Sequence, residues 1–160
     1  MNPLTAQFTE SFEYLSQQQA TFDSIAGILA QAVLAEGTIF IAAFGEMKAV
    51  SAVALYSKEP LTAATEWFPE SIVTSTDRVW ILAPDKEGDD LAGRLSDAGI
   101  PFALVASQSD ESELADAFLP LSKRKGLLQD DAMSELVPHA MAALYVYYVV
   151  KLRIDELLAG

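Results

Sequence analysis

Three short apolar runs constrain the fold of this chain most strongly. Residues 38–43 read TIFIAA, residues 78–83 read RVWILA and residues 101–106 read PFALVA. They are nearly continuous in apolar character and rich in β-branched and aromatic residues, which is typical of strands that are covered on both faces. Because helical patterns separate the runs, they predict neighbouring strands of a parallel sheet joined by right-handed crossovers.

Helical periodicity fills the remaining sequence. Apolar residues recur at helical spacing in residues 4–15 and 22–33, so two helices open the chain. We expect the second of them to end with Gly37 as its C′ residue. Further helices are predicted over residues 47–57, after the first strand, and over residues 89–98, after the second strand.

The ends of the later elements are also marked in the sequence. Gly99 is expected to cap the helix over residues 89–98, and the spacing of Asp110 and Glu113 fits a capping box for a short helix through Asp116. Residues 118–121 are predicted to form an edge strand. In the segment between the first two strong strands, residues 61–64 and 71–74 are each candidates for a short strand.

A long helix is predicted over residues 139–158, with Pro138 at or near its first turn. Its apolar residues surround nearly the whole helix, which is more than one face of a sheet can cover. We therefore expect this helix to pack also against another helix or against another subunit.

Composition and charge exclude several classes of function. The chain has no cysteine and a single histidine, which excludes thiolate chemistry and the usual zinc sites, and no metal is expected. Neither a Walker A pattern nor a G-x-G-x-x-G pattern follows the first strand, so no nucleotide cofactor is expected. A nucleophilic serine needs a base within reach, and neither Ser51 nor Ser57 suggests one. A formal net charge of −13 disfavours nucleic acid and anionic membranes as partners, although local donors can still bind one small anion.

Nothing in the sequence suggests export or membrane insertion. The first 15 residues carry acidic groups where a signal peptide needs a basic start and an apolar block. The longest charge-free run near the carboxyl terminus, residues 140–150, is far shorter than the roughly 20 residues of a membrane-spanning helix. We therefore expect a cytoplasmic protein.

The order of these elements resembles the sugar isomerase (SIS) domain, and in particular the small phosphoheptose isomerases. In that family a loop of the form G-x-G-x-S follows the first strand, and the matching residues 43–47 read AFGEM, with Gly45 conforming and Met47 at the serine position. The family's second loop resembles S-x-S-G-x-T, and residues 83–89 read APDKEGD, with one glycine and no hydroxyl groups. The resemblance implies a three-layer αβα sandwich with a parallel, flavodoxin-like sheet of about five strands, formed by residues 1–160 as one domain.

The resemblance also implies a site at the carboxyl ends of the first two strong strands. Phosphate-binding loops use free N–H groups at helix N-termini, and Lys48 and Lys86 beside the two loops are the best contacts for an anion. Exposed lysines at such positions are equally ordinary. The expected substrate-binding residues are Gly45, Met47, Lys48, Pro84, Asp85, Lys86 and Gly88.

Aldose–ketose isomerisation uses a base and an acid, commonly a glutamate and a histidine in this family. Glu46 lies in the first loop and is one candidate base. Glu59 is the other, with a shift of two or three positions from the family's glutamate. His139 is the candidate acid, contributed by the same chain or by a neighbouring subunit, although a lone histidine at a helix start more often caps the helix or lies at the surface.

Two functions remain open from the sequence. The first is a phosphosugar-binding protein with sugar-phosphate isomerase activity, whose ligand is a sugar phosphate or another small anion. The second is a non-catalytic binding or regulatory protein that has lost its phosphate site. In either case a homodimer or homotetramer formed through helices is expected.

Overall fold

The computed structural model describes residues 2–122 and 139–160, which form an α/β structure around one parallel sheet. The strands follow the spatial order β2-β1-β3-β4-β5, and every neighbouring pair is parallel. This confirms the predicted fold class. The strands are β1 (Ile39–Ala43), β2 (Ala64–Glu66), β3 (Arg78–Ala83), β4 (Phe102–Ala106) and β5 (Ala117–Pro120).

Among the described residues, five α-helices flank the sheet, and the two at the start and the long one at the end match the expected pattern. The helices are α1 (Pro3–Ser16), α2 (Gln19–Leu34), α3 (Lys48–Tyr56), α4 (Asp89–Ala98) and α5 (His139–Ala159). Short 3₁₀ turns over Gly45–Met47 and Ser112–Leu114 follow β1 and precede β5. In the described part of the chain, no helix is long and apolar enough to cross a membrane.

The sheet reverses its direction of growth at β1. The chain passes from β1 to β2 on one side, and then returns to place β3 on the other side. In open parallel sheets a crevice forms at such a point, outside the carboxyl ends of the two strands that flank the reversal. The carboxyl ends of β1 and β3 therefore mark where a ligand is expected.

Alternating side chains of the strands enter two separate cores. On one face, Ile41, Trp80 and Val105 pack beneath α1, α2, α3 and α5. On the other face, Ile81 and Leu104 pack against α4. Because both faces are covered, the strands need apolar residues at almost every position, which explains the continuous runs in the sequence.

Helix α5 lies against α1, α2 and α3, which explains why it is apolar around most of its circumference. Tyr147 is fully buried, and its ring stacks on Trp80 with centroids 6.1 Å apart. The ring centroid of Tyr145 lies 5.4 Å from that of Phe12 in α1. The prediction that this helix packs against other helices is thus confirmed. Association into a homodimer or homotetramer stays a prediction, and the exposed apolar residues of α5 are Met141, Tyr148, Leu152 and Leu157.

The expected role of Gly37 as the C′ residue of α2 is wrong. The left-handed residue after α2 is Glu36, with φ of 60°, and α2 ends at Leu34. Gly37 is required for a different reason: a Cβ there would lie 2.1 Å from the carbonyl oxygen of Thr76. Close backbone approach, and not backbone conformation, selects this glycine.

Three further local predictions need correction. Residues 71–74 form no strand. The candidate strand over residues 61–64 is misplaced, because β2 begins only at Ala64. The capping box is absent because the Asp110 carboxylate pairs with Lys86, and a 3₁₀ turn replaces the expected helix. The prediction at Gly99 is confirmed, since it caps α4 in a left-handed conformation with φ of 72°. Pro138 lies outside the described residues.

Candidate functional site

Glu46, Ser107 and His139 meet at the carboxyl end of the sheet, and we call them the carboxyl-end cluster. The His139 Nδ1 atom lies 3.2 Å from Glu46 Oε1, and its Nε2 atom lies 2.8 Å from Ser107 Oγ. The three residues come from distant parts of the sequence, and the fold alone brings them together. The Glu46 and His139 side chains retain 49% and 22% of their exposure, so solvent and small ligands reach the cluster.

Glu46 owes its position to the turn that follows β1. Phe44 is extended, and Gly45 then adopts a φ of 57°, which directs the chain into the 3₁₀ turn that carries Glu46. Glycine adopts this left-handed conformation without the steric cost that a Cβ imposes. The Gly45 backbone also lies close to the loop after β3, since a Cβ at this position would be 3.4 Å from Pro84 Cγ. The two loops expected from the sequence are therefore in contact.

Acidic side chains pair with most of the polar groups of the loop after β3. The Asp85 N–H donates to Glu87 Oε1 at 2.7 Å, and Lys86 Nζ lies 3.3 Å from the Asp110 carboxylate. The Asp85 Oδ1 atom is buried and makes no hydrogen bond with the described residues. Gly88 is buried, and a Cβ at this position would lie 2.4 Å from Ile81 Cγ2, so only glycine fits here.

The loop after β4 contributes Ser107 and a second serine, Ser109. Ser107 follows β4 directly and is half-buried. Ser109 donates its hydroxyl to Asp89 Oδ1 at 2.5 Å, and the Asp110 N–H donates to the other oxygen of Asp89. Asp89 thus fixes this loop against the start of α4, and this anchoring holds Ser107 near the start of α5.

The other predicted site residues are distributed as follows. The Met47 side chain is fully buried in the core below the turn, whereas Lys48 is exposed at the start of α3. Glu59 is exposed and follows α3, which returns the chain to the amino end of the sheet because β1 and β2 are parallel. The structure therefore brings Glu46 and His139 together and leaves Glu59 away from them. The binding roles of Gly45, Met47, Lys48, Pro84, Asp85, Lys86 and Gly88 stay predictions.

The hydrogen bonds define a consistent proton arrangement for the carboxyl-end cluster. An ionised Glu46 accepts only, so His139 donates from Nδ1–H. The unprotonated Nε2 atom then accepts the hydroxyl proton of Ser107. This tautomer places the imidazole ring between a carboxylate on one side and a hydroxyl on the other.

Within the described residues, no group of histidine and acidic side chains is arranged to hold a metal ion. A shallow groove of about 330 Å³ runs along α4 between Asp89, Asp90, Asp97 and Glu111, with Arg94 among them. Its carboxylates serve as a charged first helical turn and a solvated surface.

Comparison of the whole sequence with known families identifies one match. The profile of a domain of unknown function, DUF2529, covers residues 1–158. The chain belongs to the DUF2529 family. The uncharacterised protein YwjG of Bacillus subtilis (strain 168) is 28% identical over 165 residues, which is 96% of this chain and 95% of YwjG.

Solved structures place this DUF2529 chain beside phosphosugar isomerases of the SIS type in fold. A Listeria monocytogenes protein described as a "putative sugar-phosphate isomerase" has a TM-score of 0.67 at 16% identity, over 99% of this chain and 93% of that protein. A Methanococcus jannaschii protein with an inferred function of 3-hexulose-6-phosphate isomerase has a TM-score of 0.64 at 13% identity, over 96% of this chain and 88% of that protein. The Vibrio vulnificus NanR protein, solved with ManNAc-6P, has a TM-score of 0.58 at 15% identity, over 97% of this chain and 67% of NanR. At these identities the likeness establishes the fold alone.

Sequence reasoning missed Ser107. Its only local signal is its place directly after an apolar strand, where residues of a parallel sheet face the ligand crevice. The partner that distinguishes it, His139, is 32 residues away, and their contact depends on the path of α5.

Proposed function

We propose that this protein binds a sugar phosphate at the carboxyl ends of β1 and β3 and interconverts its aldose and ketose forms. The observation that carries the proposal is the 3.2 Å contact between Glu46 and His139, two sequence-predicted site residues that lie 93 residues apart in the chain. The fold shared with proteins described as sugar-phosphate isomerases supports the class of substrate.

The proposed reaction divides proton transfer between two groups. The Glu46 carboxylate removes the proton from the carbon beside the carbonyl group, which gives an enediol, and returns it to the neighbouring carbon. The His139 imidazole moves the proton between the two oxygens. Lys48 and Lys86 attract the phosphate, and Lys86 is available because its exposed pairing with Asp110 is weak.

Thermal shift with a panel of aldose and ketose phosphates at millimolar concentration tests binding, with the unphosphorylated sugars as the matched panel. Ligands that raise the melting temperature are then followed by NMR for aldose–ketose conversion. We expect Glu46→Gln to lower kcat by at least about 100-fold, since general base catalysis contributes on this scale, while the ligand still binds. Glu36→Gln, which changes an exposed carboxylate at the other end of the sheet, is the control.

The second candidate is a non-catalytic binding or regulatory protein that has lost its phosphate site. The observation on its side is the loop after β3, where Glu87 rather than a hydroxyl group meets the Asp85 N–H. Absence of a thermal shift with every sugar phosphate would overturn the proposed isomerase and favour the second candidate, whereas binding without conversion would contradict both. Lys48→Ala and Lys86→Ala are expected to weaken phosphate binding, and unchanged affinity in the double variant would contradict the assigned anion contacts.

A further inference from the structure

The carboxyl-end cluster has a geometry that aldose–ketose isomerisation does not require. A serine hydroxyl, an imidazole and a carboxylate lie in series, with steps of 2.8 Å and 3.2 Å. A nucleophile within about 2.6–3.2 Å of a base, which a third group orients in turn, is the arrangement that activates serine for covalent catalysis. It is recognised by geometry and roles and recurs on unrelated folds.

Ser107 differs from the other serines whose contacts are known. Ser16 and Ser24 donate to carbonyl oxygens of their own helices, which is ordinary helix chemistry. Ser109 donates to the Asp89 carboxylate. Ser107 is paired with an imidazole, at the carboxyl edge of the sheet where ligands enter.

We propose that Ser107 is a nucleophile, activated by His139 and Glu46, and that this site also hydrolyses small carboxylic esters. Ser107 Oγ attacks the carbonyl carbon while His139 Nε2 takes the hydroxyl proton. The bond between the acyl carbon and the ester oxygen then breaks, and the imidazolium returns the proton to the departing alcohol. Water, deprotonated by His139, attacks the acyl-serine and releases the carboxylic acid and the free serine. Glu46 holds the imidazole in the required tautomer and stabilises the imidazolium.

This inference shares two residues with the proposed isomerase but does not depend on a sugar-phosphate ligand. If Ser107 only orients His139, no covalent bond forms at Ser107 with any electrophile. If Ser107 is a nucleophile, a phosphonofluoridate forms a stable adduct: the oxygen attacks phosphorus, fluoride leaves and His139 takes the proton. The two roles are thus separated by chemistry at a single atom.

The test treats the full chain with an alkyl fluorophosphonate and locates the adduct by peptide mass spectrometry. We expect labelling at Ser107, with a rate at least about 100-fold above that of His139→Ala, because the base then no longer removes the hydroxyl proton. Ser107→Ala abolishes labelling and p-nitrophenyl acetate hydrolysis. Ser24→Ala, which changes an exposed serine that donates to Ala20 of its own helix, retains both, and thermal melting verifies that each variant is folded.

Labelling at Ser107 that is unchanged in His139→Ala overturns the proposed activation. Absence of an adduct in the folded wild-type protein overturns the nucleophile itself. Sugar-phosphate conversion by a protein that forms no adduct leaves the proposed isomerase standing and removes only this inference. An adduct at Ser107 in a protein that binds no sugar phosphate supports the nucleophile and removes the proposed isomerase.

Discussion

The two ends of the sheet use carboxylates in opposite ways. At the amino end, Asp77 is 7% exposed and accepts hydrogen bonds from the N–H groups of Thr38 and Thr74 and from the Thr74 hydroxyl. At the carboxyl end, the Glu46 side chain is 49% exposed and faces an imidazole. The first carboxylate is enclosed by backbone donors, whereas the second remains accessible.

The buried carboxylate at the amino end and the exposed one at the carboxyl end therefore contribute differently to stability. Buried hydrogen bonds to a charged acceptor stabilise the fold because their loss leaves donors without partners. Exposed ion pairs contribute little stability, so the carboxyl-end cluster is maintained by the elements that carry it. We therefore expect substitutions at the amino end to lower stability and substitutions at the carboxyl end to change reactivity.

Gly37→Ala should have the largest effect on stability. Its Cβ would lie 2.1 Å from the Thr76 carbonyl oxygen, so the backbone between α2 and β1 must move away from β3. We expect the free energy of unfolding to fall by about 3 kcal/mol, as measured by urea denaturation. Gly27→Ala is the matched control in α2, where a Cβ meets nothing within 4 Å, and it should raise stability by up to about 1 kcal/mol. Equal effects of the two variants would contradict the close contact.

Asp77→Ala should lower the free energy of unfolding by about 2 kcal/mol, because two backbone donors lose their acceptor. The measurement is again urea denaturation. Asp97→Ala removes an exposed carboxylate from α4 and should change stability by less than about 0.5 kcal/mol. If Asp77→Ala were as stable as this control, the amino end would not be the more stabilising one.

The buried Tyr147 of α5 makes the free energy of unfolding depend on pH. Burial, aided by the nearby Tyr148 and Asp155, raises the pKa of Tyr147 from 10.0 to about 12. Below pH 10 the phenol is protonated in both states, but between pH 10 and about 12 only the unfolded chain ionises, so stability falls as pH rises through this window. Tyr147→Phe should reduce this fall, as measured by denaturation at several alkaline pH values.

The Tyr147 hydroxyl also has no hydrogen-bond partner among the described residues. Its removal should therefore leave stability at neutral pH unchanged or slightly higher. Tyr148→Phe removes only a smaller contribution than burial to the raised pKa of Tyr147 and should keep most of the alkaline dependence of the wild type. An identical pH profile for both variants would show that Tyr147 is not the buried phenol responsible.

Glu46→Gln should have a small effect on stability, less than about 1 kcal/mol, because the contact between Glu46 and His139 is partly exposed. The same variant is expected to lose turnover and to slow the labelling of Ser107. A loss of stability comparable to that of Asp77→Ala would remove the distinction between the two ends. Denaturation and labelling on one protein preparation provide the comparison.

The sequence predicted best where one physical cause dominates a segment. β1, β3 and β4 are covered on both faces, so almost every position is apolar and the signal is strong. β2 is a three-residue edge strand with the exposed Thr65 at its centre, and such a segment has no pattern of its own. Its strand geometry comes from pairing with β1.

The candidate site was partly predictable for a similar reason. Glu46 follows a glycine turn after a buried strand, which marks the ligand edge of a parallel sheet. Gly37 was misassigned because a glycine after a helix usually serves the left-handed position, whereas here Thr76 approaches it from a distant segment. Ser107 could not be identified because the path of α5 sets its pairing with His139. Long-range contacts of this kind leave no trace in local spacing.

The stacking of Trp80 on Tyr147 gives the protein an intrinsic optical reporter. His139 and Tyr147 lie on the same helix, eight residues apart and thus separated by about 12 Å of rigid backbone. Any ligand that shifts the start of α5 also alters the environment of the Trp80 indole, whose ring lies 6.1 Å from that of Tyr147. Trp67→Phe leaves Trp80 as the only tryptophan. Ligand titrations can then be followed by its fluorescence, without a substrate assay.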